Sequence, residues 1–304
     1  MNNISASEGA TKISMTSMLM GAIINIILEP IFIYTLGWGI KGSAIATVVA
    51  QGVTTLLYVW YTLSGKSNLH FSIKHFTMSR TIYAQIFKVG IPTLLFQLLS
   101  SASMGLINTA ASRYGDSAVA AMGVVTRVLA LGSYVIFGYA KGFQPVAGFN
   151  YGAKNYGRLK EAISTSLKWS TIFCAIAEII LLIWSKQIVG LFSKDSSVIS
   201  IGSDALRANS ITFILFGFQY IYTTLFLALG KAAKGTILSI ARQGIFFIPI
   251  ILVLPRVFGL NGIIFTQPLA DVLTTVLTGL LAARLQKQIR IAASETESLS
   301  PSEI

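Results

Sequence analysis

Eight long apolar runs, residues 13–36, 42–63, 84–111, 118–149, 163–184, 205–229, 236–254 and 260–283, limit what this chain can fold into more than any other feature. A helix rises 1.5 Å per residue, so about 20 apolar residues cross a hydrocarbon core of about 30 Å. Each run is long enough to do so, and none alternates apolar with polar residues as a barrel strand would. Only 11% of the 304 residues are charged, against 54% hydrophobic, and the mean hydropathy is +0.71. Soluble domains carry about 25% charged residues, so an ordinary soluble enzyme is excluded. Cys174 is the one cysteine, which excludes a disulfide scaffold. The sequence predicts an all-α membrane protein of about eight transmembrane helices, with the plasma-membrane bilayer as its solvent.

The interruptions are short and rich in turn residues, among them Gly37-Trp38-Gly39, Tyr114-Gly115-Asp116 and Asn150-Tyr151-Gly152. Neighbouring runs therefore form antiparallel hairpins. The longest polar link, 64–83, carries His70 and His75, and its alternating apolar residues at 71–76 suit the membrane surface. Residues 1–11 lack the basic start and apolar core of a signal peptide, and 286–304 reads as a disordered cytoplasmic tail.

The net charge of +12 is an orientation signal. With both termini cytoplasmic, six of the 23 cations (Lys41, Arg113, Lys186, Lys194, Arg207 and Arg256) fall on the outer side, and Arg127, Lys141 and Arg242 lie within runs. The remaining fourteen collect inside, as cytoplasmic loops do. No nucleic-acid partner is expected.

Residues 39–57 align with 259–277 at an offset of 220, with six of nineteen positions identical: Gly39/Gly259, Gly42/Gly262, Ala50/Ala270, Thr54/Thr274, Thr55/Thr275 and Leu57/Leu277. The first hairpin thus repeats the last. Repeated halves are a common plan of secondary transporters, and each half here would hold six helices. The expectation is a remnant of an N-terminal bundle at 1–63, a joining loop at 64–83 and a complete six-helix bundle at 84–285. About 136 residues and four helices would then be missing before Met1, so a missing N-terminal half is an expected partner.

The stretch Gly21-Ala22-Ile23-Ile24-Asn25-Ile26-Ile27-Leu28-Glu29-Pro30, with Gly39, Gly42 and residues 44–51, resembles the fifth and sixth helices of the multidrug and toxic compound extrusion (MATE) family. Gly90-Ile91-Pro92 resembles the opening of its seventh. Gly142-Phe143-Gln144-Pro145 with Gly148-Phe149-Asn150-Tyr151-Gly152-Ala153 resembles the end of its eighth. The resemblance implies two six-helix bundles in a V, a drug cavity between them, and export of small organic cations or drugs driven by inward Na⁺ or H⁺. Members that couple through the second bundle tend to carry a carboxylate early in the seventh helix, where this chain has Gln97.

Ionisable groups within membrane spans are costly and point to function by default. Asp271 sits roughly 16 Å along the last run, with Gln267 one turn away and Thr274 and Thr275 on the next. It reads either as a cation- or proton-linked carboxylate or as one locked to a buried arginine. Glu29, followed by the helix-breaking Pro30, reads either as a gating or cation-binding group or as a hydrogen-bonded helix-break residue. Arg127, Tyr134, Gly138, Lys141 and Pro145 share one helical face. The two cations there would attract an anion, pair with Glu178 or Asp271, or snorkel. Gln97, Ser100, Ser101 and Asn108 read as cavity groups or interhelical hydrogen bonds, Gln144 as a cavity group, and Arg242 as snorkelling toward the cytoplasm.

No enzymatic constellation, cofactor or metal site is expected, because the two histidines have no ligating residue nearby. Without a phosphate-cradling loop, transport would be secondary. The expected function is ion-coupled drug or cation antiport. The alternatives are a lipid-linked saccharide flippase, which Arg127, Lys141 and Arg242 would serve, and a non-transporting membrane fragment or scaffold.

Overall fold

A computed structural model describes residues 10–64, 67 and 79–299, and the chain divides into two compact units, Met1–Ser79 and Arg80–Ile304. The readings of residues 1–9, of the histidine-bearing segment 68–78 and of 300–304 fall outside the described residues.

In the first unit, α1 (Thr11–Pro30) runs into a π-helical turn, Ile31–Thr35, and pairs with α2 (Gly39–Leu63). Pro30 has no N–H to give, and the helix widens directly after it, with Leu36 N donating to Ile31 O at 3.0 Å. Small residues bring the two helices together. Ala46 and Ala50 are buried, and a Cβ on Gly42 would lie 2.7 Å from Phe32 O. Tyr58 crosses the pair lower down, donating to Ser14 O at 3.1 Å.

The second unit contains α3 (Arg80–Ser112), α4 (Asp116–Gly152), α5 (Tyr156–Ile183), the short α6 (Ser185–Gly190), α7 (Ser196–Ile211) and α8 (Phe213–Ala228). It is completed by α9 (Ala232–Ile240), a π-helical turn at Ala241–Ile245, α10 (Phe247–Phe258) and α11 (Leu260–Leu299). Among the described residues of the chain, 7 helices are long and apolar enough to cross a membrane, or 8 if the bent pair α7 and α8 is one span. The chain is an all-α membrane protein, and six of the spans lie in the second unit. Apolar side chains point outward throughout, Phe149 being 76% exposed, as a lipid-facing surface requires.

The repeat extends to backbone detail. Gly39 and Gly259 occupy equivalent turn positions with φ of +54° and +60°, a region open to glycine at little cost. Gly42 and Gly262 each face a carbonyl of the preceding helix, that of Phe32 and that of Leu254, at a separation that leaves no room for a Cβ. Thr54 and Thr274 donate to the carbonyl four residues earlier at 2.9 and 2.7 Å, and Thr55 and Thr275 do likewise at 2.8 and 2.7 Å.

Two runs depart from their sequence boundaries. The run expected at 205–229 begins at Ser196, where Asp195 caps the helix by accepting from Ser197 N at 2.8 Å, and it bends by 50° at Thr212. Three polar side chains within four residues, Asn209, Ser210 and Thr212, coincide with the bend. Asn209 donates to Ala205 O and Ile264 O, Ser210 to Leu206 O, and Thr212 to Asn209 O, so hydroxyl and amide groups occupy the ladder's acceptors. The last run extends past 283 to Leu299 and takes in residues 286–299 of the segment expected to be a disordered tail. Leu285 and Ile289, one turn apart, are buried against the cluster around Leu159, Tyr222 and Leu225, and that apolar stripe keeps the extension helical.

Candidate functional site

A cavity of about 690 Å³ opens inside the second unit, lined by α3, α4, α8, α9 with its π-helical turn, and α11. One wall is aromatic. The rings of Phe137 and Tyr220 lie 4.4 Å apart between centroids, Phe137 and Phe216 5.8 Å, and Phe216 and Tyr220 5.8 Å. The spacing of four residues between Phe216 and Tyr220 puts both on one face of α8. Gln97 from α3, Gln144 from α4, Gln219 from α8 and Arg242 from the π-helical turn add polar groups to the lining.

Behind this wall a polar network centres on Asp271, which is 3% exposed. Arg242 donates through Nε to Oδ1 at 2.8 Å and through Nη2 to Oδ2 at 3.3 Å. Gln267 Nε2 adds a bond to Oδ1 at 2.8 Å from one turn earlier on α11. The Asp271 carbonyl accepts from Thr275 Oγ1 at 2.7 Å and from Gln219 Nε2 at 2.8 Å, and Gln219 Nε2 also donates to Thr275 Oγ1 at 2.7 Å. These bonds fix the Gln219 amide, because the opposite orientation would set its oxygen against the Asp271 carbonyl oxygen. Its Oε1 is buried and has no hydrogen-bond partner among the described residues.

The guanidinium of Arg242 also lies over the Phe216 ring, with Cζ 4.6 Å from the centroid. The expectation that Arg242 snorkels to the cytoplasm is thus corrected. The π-helical turn, with one residue more than an α turn, aims the side chain at α11, where a carboxylate compensates its desolvation. Ser103 of α3 helps hold that turn by donating to Gln243 O at 2.6 Å.

The structure brings Asp271, Gln267 and Arg242 into direct contact and sets Gln97 and Gln144 on the cavity adjoining them. Lys141 and Arg127 are exposed outside the cavity lining, and neither forms an ion pair with Glu178 or Asp271 among the described residues. Glu178, in α5, and Asn108, in α3, also stand outside the lining. Glu29 belongs to the first unit, where Ser43 donates to its Oε1 at 2.6 Å and Asn25 donates to Thr47 Oγ1 at 3.5 Å one turn away. The sequence reading missed Gln219. A lone amide in Phe213-Ile214-Leu215-Phe216-Gly217-Phe218-Gln219-Tyr220 is costly in the membrane unless partnered, and that cost was the available signal.

Outside the spans, the α9 entry carries Lys231, whose Nζ donates to Gln288 Oε1 at 2.6 Å. Partial burial pushes its pKa below the ordinary lysine value, and the like charge of Lys234 adds to the effect.

The profile of the MatE family matches residues 92–253. A multidrug export protein MepA of Staphylococcus haemolyticus is 28% identical over 283 residues, which cover 93% of this chain and 62% of that protein. A MATE solved in complex with MaL6 superposes with a TM-score of 0.83 at 26% identity, over 95% of this chain and 66% of that one. An outward-facing multidrug resistance MATE family transporter of the MOP superfamily gives a TM-score of 0.83 at 25% identity, over 95% and 65%. The chain spans a little under two thirds of the length of these relatives. Its apolar helices and these similarities make it a multi-pass protein of the plasma membrane. With a match over more than half its length and the same fold as solved members, the chain belongs to the MatE family of transporters.

Proposed function

We propose that this chain works in secondary, ion-coupled efflux of amphipathic organic compounds, drugs among them, as a transporter rather than an enzyme. The observation that carries the reading is the cavity inside the six-span unit. At about 690 Å³ it falls within the range of drug-sized sites, about 300–1,000 Å³, and it combines aromatic faces with a few fixed polar groups.

Coupling is assigned to the buried pair next to it. A proton on Asp271 removes the charge that holds Arg242, so the pair has two states, locked when Asp271 is ionised and released when it is neutral. Na⁺ would have to displace Arg242 and Gln267 from the same oxygens, which makes H⁺ the better fit at this position. Glu29 with Ser43 is a second candidate carboxylate, in the first unit.

The flippase reading is weaker. A pyrophosphate calls for several cations, and Arg242 is the one of the three intramembrane cations in the cavity lining. The test is drug susceptibility in a pump-deficient host. It is measured for this chain alone and for the chain joined to the N-terminal third of the Staphylococcus haemolyticus relative. Raised minimum inhibitory concentrations that collapse with a protonophore support the proposal, and sensitivity unchanged in both forms opposes it.

A further inference from the structure

We infer that the groove between α4 and α5, at the end of the pair that carries their connecting turn, binds a phospholipid with a primary-amine headgroup, of the phosphatidylethanolamine class. The groove shares no lining residue with the cavity described above.

The first support is the order of the lining groups. The groove encloses about 410 Å³, with Phe143, Val146 and Asn150 on its α4 side and Arg158, Glu161, Ala162, Thr165 and Ser166 on its α5 side. Spacings of three and four residues put each set on one helical face. Asn150, Arg158 and Glu161 lie toward the turn, whereas Phe143, Thr165 and Ser166 lie deeper. Seven residues separate Arg158 from Thr165, about 10 Å along the helix. The polar layer on each side of a bilayer is about 5–8 Å thick, so the groove passes through it and enters the hydrocarbon. Charge, then hydroxyl beside apolar surface, is the order in which a phospholipid presents its headgroup, ester linkages and chains.

The second support is a pair of opposite charges that do not meet. Arg158 and Glu161 share a face three residues apart, yet among the described residues neither forms an ion pair. The arginine offers a donor fork that matches a phosphate, and the carboxylate accepts from an ammonium. Asn150 adds a second acceptor, because its Nδ2 donates to Val146 O at 2.8 Å and that bond leaves Oδ1 free of the donor role. One cation and one anion in the lining select a zwitterion over an anionic lipid. An ammonium with N–H donors suits the two acceptors better than a choline, which has none.

The third support is an unmet hydroxyl. Ser166 is 6% exposed and lines the groove, and its hydroxyl has no hydrogen-bond partner among the described residues. Ser170, one turn further along the same helix, donates to Leu167 O at 3.1 Å, which is how hydroxyls in a span are normally satisfied. Ser166 lies at the depth where a lipid ester carbonyl can accept from it, while the chains leave over Val146 and Ala162.

The test is native mass spectrometry of the detergent-purified full chain with equimolar phosphatidylethanolamine, phosphatidylcholine and phosphatidylglycerol of identical acyl chains. The unaltered chain should retain the ethanolamine lipid at least about fivefold over each of the others. Glu161→Gln should lower that lipid to within about twofold of the choline lipid and leave the choline lipid unchanged. Arg158→Gln should lower both zwitterionic lipids, and Ser166→Ala should lower both by about threefold. Lys160→Gln, which alters an exposed cation outside the groove lining, should change nothing. Equal retention of the three lipids, preference for phosphatidylglycerol or phosphatidylcholine, or a preference that survives both Glu161→Gln and Arg158→Gln overturns the inference. Displacement of the lipid by equimolar phosphoethanolamine also overturns it, because the site would then serve a soluble phosphoamine. The ranking is read first on the unaltered chain, so it decides even where a variant does not fold.

Discussion

Arg242 and Asp271 meet through two hydrogen bonds, 2.8 Å from Nε to Oδ1 and 3.3 Å from Nη2 to Oδ2, across the gap between a π-helical turn and α11. The contact is asymmetric in environment, since the arginine side chain is 23% exposed and the aspartate 5%. Two charges held this deep offset each other's desolvation, so the pair is stable as a unit and costly as halves. Removal of Arg242 would strand a carboxylate beyond the reach of water. Removal of Asp271 leaves a guanidinium that still faces the cavity and the Phe216 ring.

The pair therefore predicts an ordered mutant cycle. Arg242→Gln should destabilise the chain most, by about 3–5 kcal/mol, and Asp271→Asn by less, since Arg242 retains access to the cavity. The double variant should cost less than Arg242→Gln alone, because an amide pair removes both charges. Thermal inactivation in nanodiscs gives the order. A double variant as unstable as the sum of its parts would mean that the two side chains are not energetically coupled.

The matching glycines of the two hairpins give a second prediction. Gly262→Ala would drive a methyl into the Leu254 carbonyl, and Gly42→Ala would set one 2.7 Å from Phe32 O. Backbone on both sides leaves no flexible group to yield, so each should cost about 1–3 kcal/mol by overpacking. Gly52, also on α2, has nothing within 4 Å, and Gly52→Ala should be neutral or stabilising by up to about 1 kcal/mol. Yield and melting temperature of the three variants distinguish them. Equal behaviour of Gly52→Ala and Gly42→Ala would remove close packing as the reason for the repeated glycine.

These glycines also show why some of the molecule is legible in its sequence. Gly39, Gly42, Thr54 and Thr55 recur at an offset of 220 because each meets a local backbone demand that both hairpins share, a left-handed turn, a close crossing or a carbonyl one turn back. Demands met within a few residues leave a pattern in the chain. The bend at Thr212 is local too, but its signal, Asn209-Ser210 with Thr212, is the ordinary polar glue of any membrane helix. The partnership of Arg242 with Asp271 joins positions 29 residues apart, and the extra residue of a π-helical turn that aims the arginine has no sequence signature. Gln219 was legible as a buried amide, but its partners on α11 lie 52 and 56 residues away.

Gln219 supplies the third prediction. Leu in its place removes two hydrogen bonds, yet Thr275 continues to donate to the Asp271 carbonyl at 2.7 Å, so that acceptor is not stranded. The substitution also removes the buried Oε1, an acceptor whose burial without a partner costs about 1–3 kcal/mol. Loss and relief offset each other, and the net change in stability should lie within about 1 kcal/mol, well below that of Arg242→Gln. Gln219→Glu should be the more damaging change, because a carboxylate oxygen would face the Asp271 carbonyl where Nε2 now donates at 2.8 Å. Comparing the two inactivation temperatures decides it, and a Leu variant worse than the Glu variant would contradict this account.

Lys231 offers a prediction outside the membrane. Its Nζ donates to Gln288 Oε1 at 2.6 Å, and partial burial, with Lys234 nearby, holds its pKa below the ordinary lysine value of 10.5. A lysine with a depressed pKa binds fewer protons in the folded chain than in the unfolded one between the folded value and 10.5. Stability from this group therefore rises with pH across that window, and the cost of keeping the ammonium desolvated is fully present below it. The neutral amine, the form that reacts with acylating reagents, should accordingly appear at lower pH than in an unstructured lysine peptide. Acylation of Lys231 followed by mass spectrometry as a function of pH should show a midpoint below the peptide's. Lys234→Gln should move that midpoint up, since it removes the second cause of the shift. Gln288→Leu should leave the direction intact, because burial is the larger cause. A midpoint at or above that of the peptide would mean that solvent reaches Lys231 freely and that the contact with Gln288 does not persist at the membrane surface.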